Sequence, residues 1–473
     1  MGFRTLIVLL CLACVAPTAL AARPVGPPVA AHPTQVRDLT QIRGSKVLRV
    51  LVNQSRNSSG QVRGEAIGAE YHRLHAFENY LNGFAAKGQP IKLKIIPRAK
   101  EQLLGALQRG EGDLVAPGEL MQLRPSASVT TSGPVVANVP FVLVASKGGR
   151  RYARVEQLAG KTLALASGSA AGLAVEQLNT QLAARKLAPI KVEWVDPSLA
   201  VEDVMEMVQA GIYPMTVMEL PIAERWAKVM PKLRVERRVA FSAPGSMSWY
   251  VRRDAPLLSA SVDRFLASYK APADIDAAFV KVYRGLYKVH YPLARADRQR
   301  LEQLRPVLQR HARQQNMDWL NLAALAFKES QLDPTAKGAS GATGLLQITP
   351  SAARRVGVGN IQQLDNNVQA GARYLALIRR KFFSSNKLNE RERMAFTLAA
   401  YNMGPERVQA MRKEARKRGL NPNQWFFQTE RIAMEQMGMG AVSYVNSVNK
   451  YYLAFARERD SLEPQLRQVA DAR

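Results

Sequence analysis

The chain has 473 residues, with 66 Lys and Arg against 38 Asp and Glu, and therefore a formal net charge of +28 at neutral pH. Hydrophobic residues at 47% and charged residues at 22% exclude a disordered or fibrous chain and are typical of a globular protein of about two to four domains. The positive excess is spread over both halves of the chain. It favours an extended anionic partner, which from charge alone could be nucleic acid, a membrane surface or a wall polymer.

The first 21 residues have the pattern of a secretory signal peptide. Arg4 precedes an apolar run at residues 6–15, and Ala19-Leu20-Ala21 offers small residues at a cleavage site. The run is shorter than the roughly 20 apolar residues that span a bilayer. We expect a signal peptide at residues 1–21 and export from the cytoplasm, which argues against nucleic acid as the partner.

Both cysteines of the chain, Cys11 and Cys14, lie in this leader. Cleavage after Ala21 would leave no disulfide and no thiolate metal site. A second interpretation is a lipoprotein, in which Cys14 is acylated and remains as the first residue.

The remainder divides by its periodicity. Residues 22–37 are rich in Pro and Ala and predict a linker. Short apolar runs with strand character then alternate with helical patterns, which predicts βαβ units and a mostly parallel sheet. The strand runs are Val47–Val52, Ile91–Ile96, Phe141–Ala145, Thr162–Ala166 and Lys191–Val195, and the helical patterns are Tyr71–Phe84, Lys100–Arg109 and Ala171–Ala184. Beyond about residue 270 only helical spacing remains. We predict an α/β domain at 38–270, a connector at 271–300, an all-helical domain at 301–460 and a tail at 461–473.

One carboxylate of the helical domain has an unusual position. Asp318 can cap a helix from Trp319 to Ser330, and Glu329 shares a face of that helix with three apolar residues. These are Leu322, Leu325 and Ala326. Burial and the negative end of the helix dipole both disfavour a carboxylate, so we predict a raised pKa for Glu329. Such a group suits general-acid cleavage of a glycosidic bond; the alternative is a helix-end glutamate that reaches solvent.

Four motifs in order place this glutamate in a family. They are Glu-Ser-Gln-Leu-Asp-Pro at 329–334, Gly-Ala-Thr-Gly-Leu-Leu-Gln-Ile-Thr-Pro at 341–350, Ala-Ala-Tyr-Asn-Met-Gly at 399–404 and Ser-Tyr-Val at 443–445. The set, over residues 306–455, resembles the catalytic domain of soluble-type lytic transglycosylases, relatives of goose-type lysozyme. The resemblance implies an all-α lysozyme-like fold. It also implies cleavage of the MurNAc–GlcNAc β-1,4 bond of peptidoglycan without water, which leaves 1,6-anhydroMurNAc ends.

The same resemblance implies roles for individual residues. Glu329 would protonate the glycosidic oxygen and then take the proton of the MurNAc 6-hydroxyl, so that one carboxyl serves as acid and base. Gln347 and the backbone at Gly344 would line the sugar site. Tyr401 would hydrogen-bond near Glu329, and Asn402 would hold the loop or the substrate.

Two further residues have alternatives. Tyr444 would contribute to the substrate site or be a core tyrosine. Ser330 would touch substrate or cap the helix end. The chain also departs from many relatives, with Gly338 in place of a serine and Gly440 in place of an acid.

Residues 47–269 resemble a family 3 extracellular solute-binding domain, the amino-acid-binding type with two lobes and a hinge. The matching pieces are Gly-Glu-Gly-Asp-Leu at 110–114, Arg124 before Val129, Gly168-Ser169, and Ala210-Gly211 leading to Glu219-Leu220-Pro221. The resemblance implies that Arg124 clamps a ligand carboxylate, Ser169 adds a hydroxyl and Glu219 takes the ligand ammonium. The alternative is a degenerate domain kept for packing or targeting.

Both resemblances together correspond to the membrane-bound lytic murein transglycosylase F family. Membership implies peptidoglycan glycan strands as substrate, a muropeptide or amino-acid ligand that regulates the enzyme, and no metal or cofactor. It also implies a periplasmic location at the outer-membrane surface. Two other functions remain open from the residues: a hydrolytic muramidase, and a non-enzymatic solute-binding or wall-binding protein.

A basic stretch lies in the helical domain. Its members are Arg407, Arg412, Lys413, Arg416, Lys417 and Arg418. The spacing is that of a solvated helix face, and the alternative is a surface for anionic wall stems or lipid headgroups.

Overall fold

A computed structural model describes residues 37–55, 61–62, 65–83, 89–122 and 127–463. The predicted signal peptide, the linker up to residue 36, Arg124 and the tail beyond residue 463 lie outside the described residues.

The amino-terminal domain is built from alternating strands and helices. In chain order these are α1 (Leu39–Ser45), β1 (Val47–Asn53), β2 (Gln61–Val62), β3 (Glu65–Ala66), α2 (Ala69–Asn82), β4 (Lys92–Arg98), α3 (Leu103–Gln108), β5 (Leu114–Ala116), β6 (Val129–Val139), β7 (Phe141–Ser146), β8 (Thr162–Leu165), α4 (Ala171–Ala184), β9 (Lys191–Trp194), α5 (Val201–Gln209), β10 (Met215–Glu219), α6 (Leu220–Ala227), β11 (Leu233–Ala240), β12 (Gly245–Arg252) and α7 (Pro256–Ser268).

Ten strands form two separate five-stranded sheets, which we call lobe 1 and lobe 2 together with their helices, and β2 pairs with β3 in a two-stranded sheet. Lobe 1 has the order β4-β1-β5-β12-β6, and lobe 2 has the order β11-β7-β10-β8-β9. The chain passes from lobe 1 to lobe 2 between β6 and β7 and returns between β11 and β12. Two crossing connections of this kind form a hinge.

The prediction of a mostly parallel sheet is wrong. In each sheet three neighbouring strands are parallel, but β12 pairs antiparallel with β5 and β6, and β7 pairs antiparallel with β10 and β11. The five predicted strands are present. Several strands were not predicted, among them β5, β10, β11 and β12. A further one, β6, is exposed or half-buried along most of its length and lacks an apolar run, because it lies at the edge of its sheet.

The carboxy-terminal part is helical. Its elements are α8 (Ile275–Tyr283), α9 (Arg295–Gln314), α10 (Trp319–Ser330), α11 (Pro350–Arg355), α12 (Leu364–Phe382), α13 (Glu390–Met403), α14 (Pro405–Lys417), a π-helical turn (Trp425–Thr429), α15 (Glu430–Met437), α16 (Met439–Arg457) and α17 (Arg459–Leu462). Helix α10 packs against α16, and α16 also packs against α13. These three helices therefore form the centre of the helical domain.

The helical domain and lobe 2 share one hydrophobic core. Buried residues such as Leu143 and Val217 of lobe 2 belong to the same contiguous cluster as Leu322 and Val445 of the helical domain. Lobe 1 has its own core, which contains Trp249. Lobe 2 and the helical domain thus share one core, to which lobe 1 also contributes Leu120 and Met247.

Buried charges reinforce this junction. Nζ of Lys450 on α16 lies 2.5 Å from Oδ1 of Asp203 and 2.6 Å from Oε2 of Glu206, both on α5 of lobe 2. All three side chains are at most 3% exposed. Because the same helix α16 carries Tyr444, the junction reaches into the helical domain close to the predicted site.

Among the helices of the described residues, none combines the length and the apolar character that crossing a bilayer requires.

Candidate active site

The glutamate predicted to act as acid lies on the helix predicted for it. Helix α10 begins after Asp318, whose carboxylate accepts a hydrogen bond from the amide of Leu320 at 3.1 Å. It ends at Ser330, because Gln331 and Leu332 adopt positive φ angles of 55° and 63°. The bounds and the cap of this helix are confirmed.

Glu329 is half-buried at the end of this helix. Burial raises the pKa of its carboxyl, while the hydroxyl of Tyr444 and the ammonium of Lys328 act in the opposite direction. The net shift is upward, as predicted from the sequence. The result is a carboxyl that keeps its proton to a higher pH than an exposed glutamate does.

The tyrosine that contacts this carboxyl is Tyr444 and not Tyr401. Its hydroxyl donates to Oε1 of Glu329 at 2.5 Å, whereas the Tyr401 hydroxyl donates to the carbonyl of Leu346 at 2.8 Å. The sequence placed a hydrogen bond of Tyr401 near Glu329 and left Tyr444 between a site role and a core role. Tyr401 does lie near this carboxyl, since burial and then the Glu329 carboxylate raise the pKa of its hydroxyl. The packing of α16 on α10 brings Tyr444 to Glu329. The two residues are 115 positions apart, so their spacing in the sequence does not indicate this contact.

Tyr401 instead holds the loop that contains Gly344 and Gln347. The amide of Leu346 in this loop donates to Oδ1 of Asn367 at 2.9 Å. Gly344 has φ of +73°, and a Cβ there would lie 2.4 Å from Nδ2 of Asn367. Only glycine fits this backbone and this close approach. The loop is therefore fixed against α12 and α13 beside the end of α10.

Gln347 is oriented by its own loop. It has φ of +47°, and its Nε2 donates to the carbonyls of Ala336 at 3.1 Å and Gly344 at 2.9 Å. A Cβ at Gly338 would lie 2.0 Å from Oε1 of Gln347. With the serine that is common in relatives at this position, the side-chain amide of Gln347 would have to turn away. Gly338 therefore leaves room for the observed Gln347 side chain.

Ser330 has a structural contact in the described chain. Its hydroxyl lies 3.0 Å from the carbonyl of Ala326 in the preceding turn and 2.9 Å from that of Leu345, so it links α10 to the loop. Asn402 is exposed on the last turn of α13 and faces solvent. Asp333, close in sequence to Glu329, is an acceptor for the amide and hydroxyl of Thr335, and these bonds lower the pKa of its carboxyl.

A cleft of about 180 Å³ adjoins this loop. Gln347 and Tyr401 line it together with Tyr374, whose ring lies 5.7 Å from that of Tyr401, and the exposed Arg355. Aromatic faces beside amide and guanidinium groups suit a carbohydrate that carries carboxylates. The cleft therefore adjoins the loop on the side of Gln347 and Tyr401.

Asn367 positions this loop and was not predicted from the sequence. It is 1% exposed, and Nδ2 donates to the carbonyls of Thr343 at 2.8 Å and Ile361 at 2.9 Å. The available signal was a polar residue among the apolar positions of α12, which faces the core at Val368 and Ala372.

Comparison with known proteins agrees with this site. The profile of the transglycosylase SLT domain matches residues 306–423, a range that contains Glu329, the Gly344–Gln347 loop and Tyr401. The helical domain is a transglycosylase SLT domain. Tyr444, which contacts the carboxyl in this SLT domain, lies beyond the matched range.

Curated relatives match over both domains. A membrane-bound lytic murein transglycosylase F of Desulfosudis oleivorans is 25% identical over 82% of this chain and 83% of its own length. The proteins of the same name from Pseudomonas fluorescens and Sodalis glossinidius are 27% and 26% identical over 82% and 92% of this chain. The chain is a homologue of these proteins along most of its length.

Solved structures align with the part of the chain that precedes the SLT domain. An amino acid ABC transporter substrate-binding protein of Streptococcus pneumoniae bound to L-arginine is 18% identical and aligns with 51% of this chain and 97% of its own, with a TM-score of 0.40. A mutant of ArgBP from T. maritima aligns to a similar extent, with 18% identity and a TM-score of 0.41.

Two of the predicted ligand groups of the amino-terminal domain, Glu219 and Ser169, are buried. Glu219 ends β10 of lobe 2 and is 1% exposed, and Ser169 of the same lobe is 7% exposed. Burial raises the pKa of Glu219, an effect that Lys100 opposes and Glu119 reinforces. The predicted Arg124 lies outside the described residues.

Two residues of the basic stretch, Arg412 and Arg418, make contacts within the SLT domain. The guanidinium of Arg412 lies 5.0 Å from the ring centre of Phe396 and donates to the carbonyl of Pro422 at 2.7 Å. Arg418 pairs with Glu414 and with Glu435. The other members are exposed, namely Arg407, Lys413, Arg416 and Lys417. They form a solvated face, and contact with an anionic surface stays a prediction.

Proposed function

We propose that the protein is a peptidoglycan lytic transglycosylase in which the carboxyl of Glu329 acts first as acid and then as base. The observation that carries this proposal is the half-buried Glu329 with a raised pKa, beside a fixed sugar-site loop and a tyrosine hydroxyl 2.5 Å away. The groups that act on its pKa are Tyr444 and Lys328, and neither is a carboxylate. A hydrolase of the common type uses a pair of carboxyls, so a single acid favours the non-hydrolytic route.

In the first step, Glu329 donates its proton to the glycosidic oxygen, and the bond between this oxygen and C1 of MurNAc breaks. The charge that develops on Glu329 is stabilised by the hydroxyl of Tyr444 and by Lys328. In the second step, the oxygen of the MurNAc 6-hydroxyl bonds to C1 and its proton passes to Glu329. The 1,6-anhydro ring closes and the carboxyl regains its starting state without water.

Product analysis of purified sacculi tests the proposal. The expected muropeptides end in 1,6-anhydroMurNAc and are lighter by one water than the products of hydrolysis. Glu329→Gln is expected to lower the rate by roughly 10³-fold, the contribution of a positioned general acid. The matched control is Glu302→Gln, because Glu302 forms an exposed pair with Arg298 on α9. Hydrolysed ends would support a muramidase, and full activity of Glu329→Gln would contradict the proposed acid.

The amino-terminal domain is proposed to regulate the enzyme in response to a muropeptide or amino acid. This proposal is supported by helix α16, which carries both Tyr444 beside Glu329 and Lys450 in the buried contact with lobe 2. A ligand that changes the position of α5 relative to the SLT domain would therefore act on α16. Calorimetry and lytic rates with amino acids and stem peptides test it. Absence of both heat and any change of rate would contradict it.

The chain is proposed to act in the periplasm at the outer-membrane surface. The proposal rests on the leader pattern of residues 1–21, the net charge of +28 and relatives named as membrane-bound. Fractionation with salt washes tests it, since electrostatic attachment weakens as salt rises. Retention in the cytoplasm would contradict export.

A further inference from the structure

A buried cluster of charges lies between the two lobes. Nζ of Lys100 lies 2.8 Å from Oε2 of Glu119 and 4.0 Å from Oε1 of Glu219. The other oxygen of Glu119 accepts a hydrogen bond from Nδ2 of Asn53 at 2.8 Å. All four side chains are less than 10% exposed. The cluster is therefore shielded from water, and its charges depend on one another.

The cluster joins residues from both lobes. In lobe 1, Asn53 ends β1, and Lys100 and Glu119 follow β4 and β5 at the carboxyl edge of the sheet, whereas Glu219 ends β10 of lobe 2. Oε1 of Glu219 also accepts a hydrogen bond from the amide of Leu120 in lobe 1 at 2.9 Å. The carboxyl edge of parallel strands is where open α/β sheets bind their ligands.

Lobe 2 is packed directly on Lys100. A Cβ added at Gly168 would lie 3.3 Å from Cβ of Lys100 and 2.7 Å from Oε2 of Glu101. Gly168 has φ of +72° and precedes Ser169, the other predicted ligand group. The contact between the lobes thus closes over the lysine side chain, and the lysine fills the space between them.

The ammonium is held in its charged form here. Burial by itself would lower the pKa of Lys100, but the carboxylates of Glu119 and Glu219 more than offset this effect and the pKa is raised. The two glutamates thus bind the ammonium of Lys100 by the same ion pairs and hydrogen bonds that would bind a free alkylammonium ion.

We infer that Asn53, Glu119 and Glu219 form a binding site for a primary ammonium group, and that the side chain of Lys100 occupies it as an intramolecular ligand that holds the two lobes closed. An external ligand with an ammonium group has to displace Lys100 before it binds. Its apparent affinity is therefore reduced by the fraction of molecules in which the site is already filled. The lysine sets the ligand concentration at which this domain responds.

Removal of the lysine tests the inference. Lys100→Ala deletes a fragment equivalent to propylammonium, which is the probe. The variant is expected to have a Tm lower by roughly 5 °C or more, because two buried carboxyls lose their partner. Propylammonium is expected to raise this Tm saturably and to bind the variant at least tenfold more tightly than the parent. The matched control is Lys161→Ala, because Lys161 is an exposed lysine of lobe 2. Propanol controls for the apolar part of the probe.

A second measurement uses the parent chain and does not depend on whether the variant folds. Reductive methylation read by mass spectrometry is expected to modify Lys100 at least tenfold more slowly than Lys161. Glu219→Gln, which weakens the closed site, is expected to speed modification of Lys100 and leave Lys161 unchanged. Equal rates at the two lysines, or equal affinity of the parent and Lys100→Ala for propylammonium, would overturn the inference.

Discussion

The hydroxyl of Tyr444 donates a hydrogen bond to Oε1 of Glu329 at 2.5 Å, although the two residues are 115 positions apart in the chain. The bond favours the charged carboxylate and so opposes the effect of burial on the pKa of Glu329. The tyrosine thereby balances the two roles of Glu329. Burial retains the proton that the acid step requires, and the hydrogen bond stabilises the carboxylate that remains afterwards.

Removal of this hydroxyl is expected to shift the pH dependence of lysis. Glu329 must be protonated at the start, so activity falls as the pH rises through its pKa. Tyr444→Phe removes an interaction that lowers this pKa. The alkaline limb of the profile therefore moves to higher pH, while the maximal rate falls roughly tenfold through loss of a charge-assisted hydrogen bond. Rates on sacculi at a series of pH values measure both effects.

Tyr401→Phe is the matched comparison, because the Tyr401 hydroxyl contacts the carbonyl of Leu346 and not Glu329. It is expected to weaken the loop and to leave the position of the alkaline limb unchanged. An equal shift of this limb in both variants would contradict the assignment of the contact to Tyr444.

Gly344→Ala is expected to destabilise the substrate loop. A left-handed conformation costs an L-residue about 1–2 kcal/mol, and here the added Cβ would also overlap Nδ2 of Asn367 at 2.4 Å. We expect a lower urea midpoint and a loss of lytic activity. Gly440→Ala is the control, since no atom lies within 4 Å of a Cβ at that position. Its stability is expected to be unchanged or slightly higher.

Lys450→Met is expected to weaken the junction between lobe 2 and the SLT domain. It leaves Asp203 and Glu206 buried without their cation, which costs about 3–5 kcal/mol when one partner of a buried pair is removed. Urea unfolding measures the loss, and Lys413→Met, at an exposed lysine of α14, is the control. Adding Asp203→Asn and Glu206→Gln to Lys450→Met is expected to recover part of the stability. No recovery would show that the two carboxyls do not cause the loss.

Glu392 is expected to make the SLT domain less stable as the pH rises. Burial raises its pKa from 4.5 to about 7, against the effect of hydrogen bonds from the amides of Trp425 and Phe426. The unfolded chain therefore loses this proton at a lower pH than the folded protein does. The contribution of Glu392 to the free energy of unfolding is complete below about pH 4.5 and is lost by about pH 7. This is a change on the order of 3 kcal/mol. Urea midpoints at pH 5 and pH 8 measure it.

Glu392→Gln cannot titrate and is the control for this effect. Its midpoint is expected to differ less between the two pH values than that of the parent. The same difference in both proteins would assign the pH dependence to other groups.

Local features of this protein were determined by the sequence alone. The helix from Trp319 to Ser330 follows from the Asp318 cap and an apolar face, both of which act within a few turns. The raised pKa of Glu329 follows from its place on that face. The apolar run at Phe141–Ala145 predicted β7, which is buried along almost all of its length.

Only the tertiary structure decided which distant groups meet. It placed the Tyr444 hydroxyl on Glu329 and the Tyr401 hydroxyl on the carbonyl of Leu346, because helix packing and not spacing sets these contacts. It paired β12 antiparallel with β5 and β6, although the alternation of strands and helices had indicated mostly parallel pairs. It also set Lys100 against Glu219, because a buried charge has to find a partner wherever the fold brings one within reach.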